Sequence, residues 1–137
     1  MATEEISVLY NATYGGWAIS NKAIQLYNCK MKKLNPEFTQ IIYNNDTNSH
    51  SRIIKRDDLI LLDVYNELGR DFDESYSHTK INKIPKIYEN HYGISEYDGL
   101  ENVYIDISKY KLDTIKKIIN NNISSEEKIN EIKLLLE

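Results

Sequence analysis

The chain of 137 residues is 41% hydrophobic and 28% charged, with a formal net charge of −4 at pH 7. These values are typical of one globular domain, and the acidic balance argues against a general nucleic-acid binder, which needs a basic face. One cysteine excludes an intramolecular disulfide and favours a reducing compartment, so we expect a cytoplasmic protein. We expect neither a secretory signal nor a membrane span, because no apolar run approaches roughly 18 residues.

The first predicted elements are a strand and a helix on either side of a glycine pair. Residues 6–14 are rich in β-branched and aromatic side chains, which predicts a strand. Ser20 suits a helix N-cap, because its hydroxyl can accept a hydrogen bond from a free N–H of the first turn. Ile19 and Ile24 stand at the positions of a hydrophobic staple. The helix is predicted to end at the lysines before Asn35-Pro36.

The middle of the chain alternates short apolar runs with polar segments. Residues 38–43 are predicted to form a strand, residues 44–51 a polar loop and residues 53–54 a short strand. Asp57 is predicted to cap a second helix, and Gly69 stands at the position where helices commonly end in glycine.

A hairpin is the clearest prediction in the following part of the chain. Residues 70–78 are polar and loop-like, and residues 79–84 are predicted to form a strand that ends at a proline. Residues 88–97 and 100–105 are predicted strands joined at Asp98-Gly99. Asp-Gly between β-rich runs is typical of a tight hairpin turn, in which both central residues need positive φ.

Two further amphipathic helices are predicted at the end of the chain. Ser108 is predicted to cap the first, and Ser124 with Glu127 forms the capping-box pattern of the second. The predicted apolar faces consist of Leu112, Ile115 and Ile119 and of Ile129, Ile132 and Leu136. The run at residues 134–136 is more apolar than one face requires, so a second copy of the chain is a candidate to cover it.

These elements predict an α+β fold in one domain, residues 1–137, with a small largely antiparallel sheet and about four helices. No linker or internal repeat divides the chain. Residues 106–137 are predicted to form a C-terminal helical extension, for which an oligomer interface is a candidate role.

The segment from Tyr14 to Ser20, with Gly15, Gly16 and Trp17 between them, is the first candidate site. A strand, two glycines and a helix N-terminus form an arrangement that can bind an anion, and the two aromatic rings can stack on a base or sugar. The alternative is a strand-to-helix corner, with glycine supplying positive φ and the tryptophan buried as core.

The second candidate is the hairpin turn, where Glu96, Tyr97, Asp98 and Glu101 lie close in sequence to His91. Two carboxylates that approach across a turn can share a proton or bind a hard cation. The alternative is that they solvate the turn and that the aspartate serves the backbone.

The remaining metal-ligating residue types are sparse. His50, His78 and His91 lack the spacing of a zinc site, and Cys29 is predicted to be a structural cysteine in a partly buried helix segment. We therefore predict no metal site and no cofactor.

The two glycine motifs resemble those of small uncharacterised proteins from phages and large DNA viruses. The matching residues are Tyr14, Gly15, Gly16, Trp17 and Ser20, then Glu96, Tyr97, Asp98, Gly99 and Glu101. The resemblance covers residues 5–105, with Trp17 in place of the usual phenylalanine. It implies a viral source, which agrees with a composition biased to the residues of A+T-rich codons, but it implies no activity.

Two functional hypotheses follow. The first is a non-enzymatic binding protein, a viral accessory factor for a protein partner or for a small anionic ligand such as a nucleotide. The second is a small metal-dependent hydrolase or transferase that acts on a phosphorylated compound, with Glu96, Asp98 or Glu101 as acid, base or metal ligand. The first is favoured because no catalytic constellation is complete, and both require the two motifs to meet in space.

Overall fold

The computed structural model describes residues 4–43 and 54–137 of the chain. This part contains two antiparallel strand pairs and four helices. This arrangement confirms the predicted α+β class. In chain order the elements are β1 (Glu5–Asn11), α1 (Asn21–Leu34), α2 (Leu59–Leu68), β2 (Thr79–Pro85), β3 (Tyr92–Tyr97), β4 (Leu100–Ile105), α3 (Ile107–Ile119) and α4 (Ser125–Leu136). Short 3-10 turns at Gly69–Phe72 and Lys86–Tyr88 connect three of them.

The strand registers set the position of every later contact. β1 runs antiparallel to β2, with Asn11 opposite Thr79. β3 runs antiparallel to β4, with Tyr97 opposite Leu100 across a tight turn. Asp98 and Gly99 both have positive φ, 50° and 88°, so the predicted hairpin is confirmed.

The hydrophobic core lies between α1, α2 and β1. Ala23, Ile24 and Tyr27 share one face of α1, as helical spacing requires, and this face packs against α2. The Tyr65 ring meets the buried Phe72 ring edge-on, at 5.3 Å between centroids. The largest fully buried hydrophobic side chains are Phe72, Leu9, Ile19, Ile24, Leu61, Val8 and Val64.

Three predicted helix ends are confirmed by their hydrogen bonds. The Ser20 hydroxyl accepts from the Ala23 N–H at 3.1 Å, and the Ser124 hydroxyl accepts from the Glu127 N–H at 3.2 Å. Gly69 ends α2 with a φ of 57°. Local capping chemistry thus decides where these helices begin and end.

Several predicted strands are wrong or shorter than expected. Residues 38–43 form no strand, because the backbone of Ile41 is hydrogen-bonded at both its N–H and its carbonyl to the Asn28 side chain. β1 ends at Asn11 and not at residue 14, because the chain turns toward the glycines after Asn11. Ile54 lies in a bend; the predicted loop at 44–51 and residue 53 fall outside the described residues.

Three predicted element starts are corrected. Asp58, not Asp57, caps α2, because its carboxylate accepts from the N–H groups of Ile60 and Leu61, both at 2.9 Å. Asp106, not Ser108, caps α3 by accepting from the Lys109 N–H at 3.0 Å. β3 begins at Tyr92 rather than at residue 88, because the chain first makes the Lys86–Tyr88 turn.

Among the described residues, no helix has both the length and the apolar character that crossing a bilayer demands.

Candidate functional site

The two glycine motifs meet in space. The Gly15 N–H donates to the Asp98 carbonyl at 3.0 Å, and the Asn11 side-chain amide donates to the Gly99 carbonyl at 2.7 Å. The same amide donates to the Thr13 carbonyl at 2.8 Å. We call the contact between residues 14–17 and residues 96–101 the motif junction. It satisfies the geometric condition that both functional hypotheses require.

Glycine is needed on both sides of the junction. Gly15 and Gly16 have φ values of 110° and 94°, a region that side chains with a Cβ rarely adopt. A Cβ added to Gly99 would lie 2.0 Å from the Gly16 nitrogen and 2.6 Å from the Gly15 nitrogen. Glycine therefore permits the positive φ of this corner and the close approach of the two backbones. Both observations support the structural interpretation of the first motif.

The Trp17 side chain is buried beneath the junction. Its indole N–H donates to the Thr79 hydroxyl at 3.0 Å, and the Arg56 guanidinium carbon lies 3.7 Å from a ring centroid. Only 4% of the residue is exposed. A ring face covered by a guanidinium group gains a cation–π contact, and it is not open to stack on a base or a sugar.

Glu101 is the partner of that same arginine. Its two carboxylate oxygens accept from the Arg56 guanidinium at 2.7 and 2.8 Å, and one of them also accepts from the Asn11 N–H at 2.7 Å. The carboxylate is buried, so these bonds replace the water that it loses on folding. Glu101 thus has three donors and joins β4 to β1.

The predicted pair of carboxylates is divided between different donors. Glu96 lies opposite Glu101 in the strand register, but its side chain is exposed and accepts from the Gly99 N–H at 2.8 Å. Asp98 is exposed and contributes its carbonyl to the junction. Glu96 therefore holds the turn, whereas Glu101 binds Arg56 and β1.

A buried polar network continues behind the junction. The Asp73 carboxylate accepts from the Ser77 hydroxyl at 3.1 Å, from the Thr79 N–H at 2.8 Å and from the Thr79 hydroxyl. The side-chain oxygen of Asn11 accepts from the His78 N–H at 2.9 Å. Each of these buried polar groups has a partner, as a rigid support requires.

The N-terminus of α1 is occupied by groups of the chain itself. The Ser20 hydroxyl caps the helix and donates to the Asp71 carbonyl at 2.5 Å. The Asp71 carboxylate lies nearby, 3.3 Å from the Lys22 ammonium. A carboxylate beside this helix end opposes the binding of a further anion.

Three exposed tyrosines lie on the segments that meet at Gly15. Tyr14 precedes it in the chain and is 61% exposed, and Tyr97 precedes its hydrogen-bond partner Asp98 and is 72% exposed. Tyr76 packs against Gly15, where an added Cβ would lie 3.2 Å from the Tyr76 carbonyl oxygen, and it is 43% exposed. We call Tyr14, Tyr76 and Tyr97 the tyrosine surface.

Metal-ligating residues do not gather near the junction. Within residues 4–43 and 54–137, no group of three or more His, Cys, Asp and Glu side chains has the geometry to hold a metal ion. His91 lies elsewhere, with its Nε2 atom 2.8 Å from the Asp113 carboxylate, and His78 is exposed. Cys29 is exposed, which corrects the expected partial burial, because the core takes the α1 face of Ile24 and Tyr27. His50 falls outside the described residues.

Two open surface cavities lie beside other parts of the chain. One, of about 750 Å³, is between α1 and residues 40–43. The other, of about 550 Å³, is lined by residues of the segment 65–79, including Arg70 and His78. Neither is lined by residues 14–17 or 96–101.

No protein-family model matches the sequence, and comparisons with curated proteins and with solved structures find no match. The resemblance to phage and viral proteins therefore stays a prediction.

Sequence reasoning missed two residues of the junction, Asn11 and Arg56. Asn11 lies inside the predicted strand of residues 6–14, and Arg56 stands between a short apolar run and the predicted cap Asp57. No local pattern distinguishes either residue, because their partners are distant in the chain.

Proposed function

We propose that the protein is a non-enzymatic interaction protein that binds a protein partner through the tyrosine surface. The observation that carries the proposal is the exposure of three tyrosines on the segments that meet at one hydrogen-bonded corner. Tyrosine is enriched at protein interfaces, because it joins a flat apolar body to a polar tip and loses little conformational entropy on binding.

The rigidity of the motif junction supports this proposal. Backbone hydrogen bonds, the Arg56–Glu101 ion pair and the buried Trp17 hold the segments that carry Tyr14 and Tyr97. A surface held in its binding conformation before contact loses less freedom when the partner binds. The two motifs then serve recognition indirectly, by fixing the tyrosines that flank them.

The other interpretations draw less support from the same residues. A nucleotide-like ligand would need the Trp17 ring face or the α1 N-terminus, and both are already in contact with groups of the chain. Among the carboxylates that the hydrolase hypothesis names, Glu101 is paired with Arg56 and Glu96 accepts from the Gly99 N–H. The exposed Asp98 belongs to no metal-ligating group among the described residues. Divalent-metal dependence of any activity remains the measurement that would favour the hydrolase.

The proposed setting is the cytoplasm of a virus-infected cell. The motif resemblance and the bias toward A+T-rich codons support a viral accessory protein. The single cysteine supports a reducing compartment.

The test compares tyrosine variants in a capture experiment from host-cell extract. We expect Tyr14→Ser and Tyr97→Ser each to lose the bound partner, with a melting temperature unchanged from wild type. Tyr104→Ser is the matched control, because Tyr104 is 50% exposed but lies opposite Gly93, away from the turn. Partner binding by that control should equal wild type.

Two outcomes would contradict the proposal. One is a partner retained equally by all variants, which would move the interface away from the tyrosine surface. The other is a small molecule of about a few hundred daltons, roughly the mass of a drug-sized ligand, bound to gently purified protein in native mass spectrometry and lost on denaturation. That result would favour the small-ligand hypothesis.

A further inference from the structure

The two C-terminal helices expose much of the apolar faces that their sequences predict to be buried, although Ile115 and Ile132 are half-buried. Leu112 and Ile119 of α3 are 52% and 53% exposed, and Ile129 and Leu136 of α4 are 53% and 60% exposed. α4 has no buried residue, and the buried residue of α3 is Ile118. We call α3 and α4 with residues 120–124 between them the C-terminal hairpin.

The hairpin is fastened to the rest of the chain on the other side of α3. The Tyr110 ring packs against the rings of Tyr88 and His91, with centroids 4.9 and 5.5 Å away, and Asp113 pairs with His91. Successive helical residues are turned by about 100°, so Leu112 lies on roughly the opposite side of α3 from Tyr110. Leu112 and Ile119 therefore face away from the body, and the half-buried Ile115 lies at the edge of their stripe.

The stripe on α4 continues the same surface. The connection between the helices is short, and short connections join antiparallel neighbours. Leu135 and Ile132 of α4 are half-buried, which identifies the side of that helix that packs on α3. Helical geometry then places Ile129 and Leu136 on the same outer side of the hairpin as Leu112 and Ile119.

This surface contains four large apolar side chains that are each more than half exposed, Leu112, Ile119, Ile129 and Leu136. Helices of this length are marginal in isolation, and amphipathic helices gain their stability by burying an apolar face. We infer that a second copy of the chain covers the face, so that two C-terminal hairpins pack into a four-helix bundle.

Charge complementarity selects the second copy and its orientation. At about 100° per residue, Lys109 and Lys116 flank the apolar stripe on the outer edge of α3, and Glu126 and Glu137 flank it on the outer edge of α4. The latter edge also carries Lys133. A twofold axis parallel to the helices lays α3 of one copy along α4 of the other, so each lysine edge meets a glutamate edge. The perpendicular axis would set lysines against lysines.

The dimer goes beyond the proposed function and does not rest on it. It joins two tyrosine surfaces in one assembly, so a partner with two binding sites would be held at both.

Sedimentation equilibrium of the purified protein is the first test. We expect a reversible dimer, and we expect Leu112→Lys or Ile129→Lys to weaken association by at least about tenfold, since each puts a charge into the buried face. Leu134→Lys is the matched control: Leu134 is 70% exposed and lies on the other side of α4, so association should be unchanged. A wild-type monomer at every concentration measured, or equal weakening by the control, overturns the inference.

A charge exchange tests the orientation. Lys116→Glu should weaken the dimer, and the double variant Lys116→Glu with Glu126→Lys should restore it, because each new glutamate meets a new lysine of the other copy. Circular dichroism should be the same for all variants. A double variant that stays as weak as the single one overturns the pairing of α3 with α4. Partner capture through the tyrosine surface is measured separately, so it can fail while the dimer persists.

Discussion

The motif junction and the C-terminal hairpin satisfy their side chains in opposite ways. At the junction, buried polar groups such as the Glu101 carboxylate find donors within the chain. On the hairpin, apolar side chains such as Ile129 and Leu136 find no comparable cover within the described chain. One region is therefore completed by folding alone, whereas the other leaves an apolar face exposed, which is the face that we propose a second copy covers.

The largest expected effect comes from Gly99→Ala at the junction. The added Cβ would meet backbone atoms of Gly15 and Gly16, and the φ of 88° is strained for alanine, so we expect a loss of roughly 4 kcal/mol in unfolding free energy. Gly69→Ala is the control. Its φ of 57° is also positive, but a Cβ added there would have no atom beyond its chain neighbours within 4 Å. It should lose about 1–2 kcal/mol in urea denaturation. Equal losses in both variants would mean that the close approach is unimportant.

Glu101→Gln should lower the free energy of unfolding by nearly as much as Gly99→Ala. The substitution leaves the Arg56 guanidinium buried without its carboxylate, and breaking a buried pair in this way costs roughly 3 kcal/mol. Glu96→Gln removes a charge from an exposed position of the β3–β4 hairpin, and it should lower the free energy of unfolding by less than about 0.5 kcal/mol. Chemical denaturation of both variants measures the difference. Wild-type stability of Glu101→Gln would show that the ion pair contributes little.

A smaller effect is expected where the C-terminal hairpin is attached to the body. The hydrogen bond from His91, assisted by its charge and by Lys109 and Lys116, lowers the pKa of the Asp113 carboxyl. A carboxyl with a lowered pKa stabilises the fold above its unfolded pKa of about 3.9, and this contribution is lost as the pH falls through the folded value. Asp113 should therefore titrate at a lower pH in wild type than in His91→Gln, as measured by NMR. Identical titration midpoints would remove His91 as the cause.

The smallest effect is expected on the open face of the hairpin. In protein diluted until it is monomeric, Ile129→Ala should change the unfolding free energy by less than about 0.5 kcal/mol, because the side chain is already in water. Leu9→Ala, at a fully buried position, should cost roughly 3 kcal/mol. A large loss for Ile129→Ala in the monomer would show that this face is covered within one chain.

Local signals predicted much of the fold. Capping by Ser20 and Ser124 and the Asp98-Gly99 turn depend on a few neighbouring residues, so the sequence contains the whole interaction. Residues 38–43 have the composition of a strand, but a helix side chain, Asn28, binds both backbone groups of Ile41 instead. Propensity reports what a segment can do, whereas the available partner decides what it does.

The sequence predicts only part of the candidate site. The two motifs indicated a special corner and a special turn, and the structure brings them together. The residue that links Trp17 to Glu101 is Arg56, which belongs to neither motif. One arginine among 17 basic residues carries no local mark of burial, since burial follows from contacts that only the folded chain makes.

The bond between Asn11 and Glu101 joins positions 90 residues apart, and it has a consequence for synthesis. A chain emerging from the ribosome exposes β1 and Arg56 long before Glu101 has been translated. Until then the arginine lacks its carboxylate and the corner lacks the turn that presses against it, so contacts of such long range close late. We therefore expect the corner of the N-terminal half to stay accessible to proteases and chaperones until the β3–β4 hairpin has been translated.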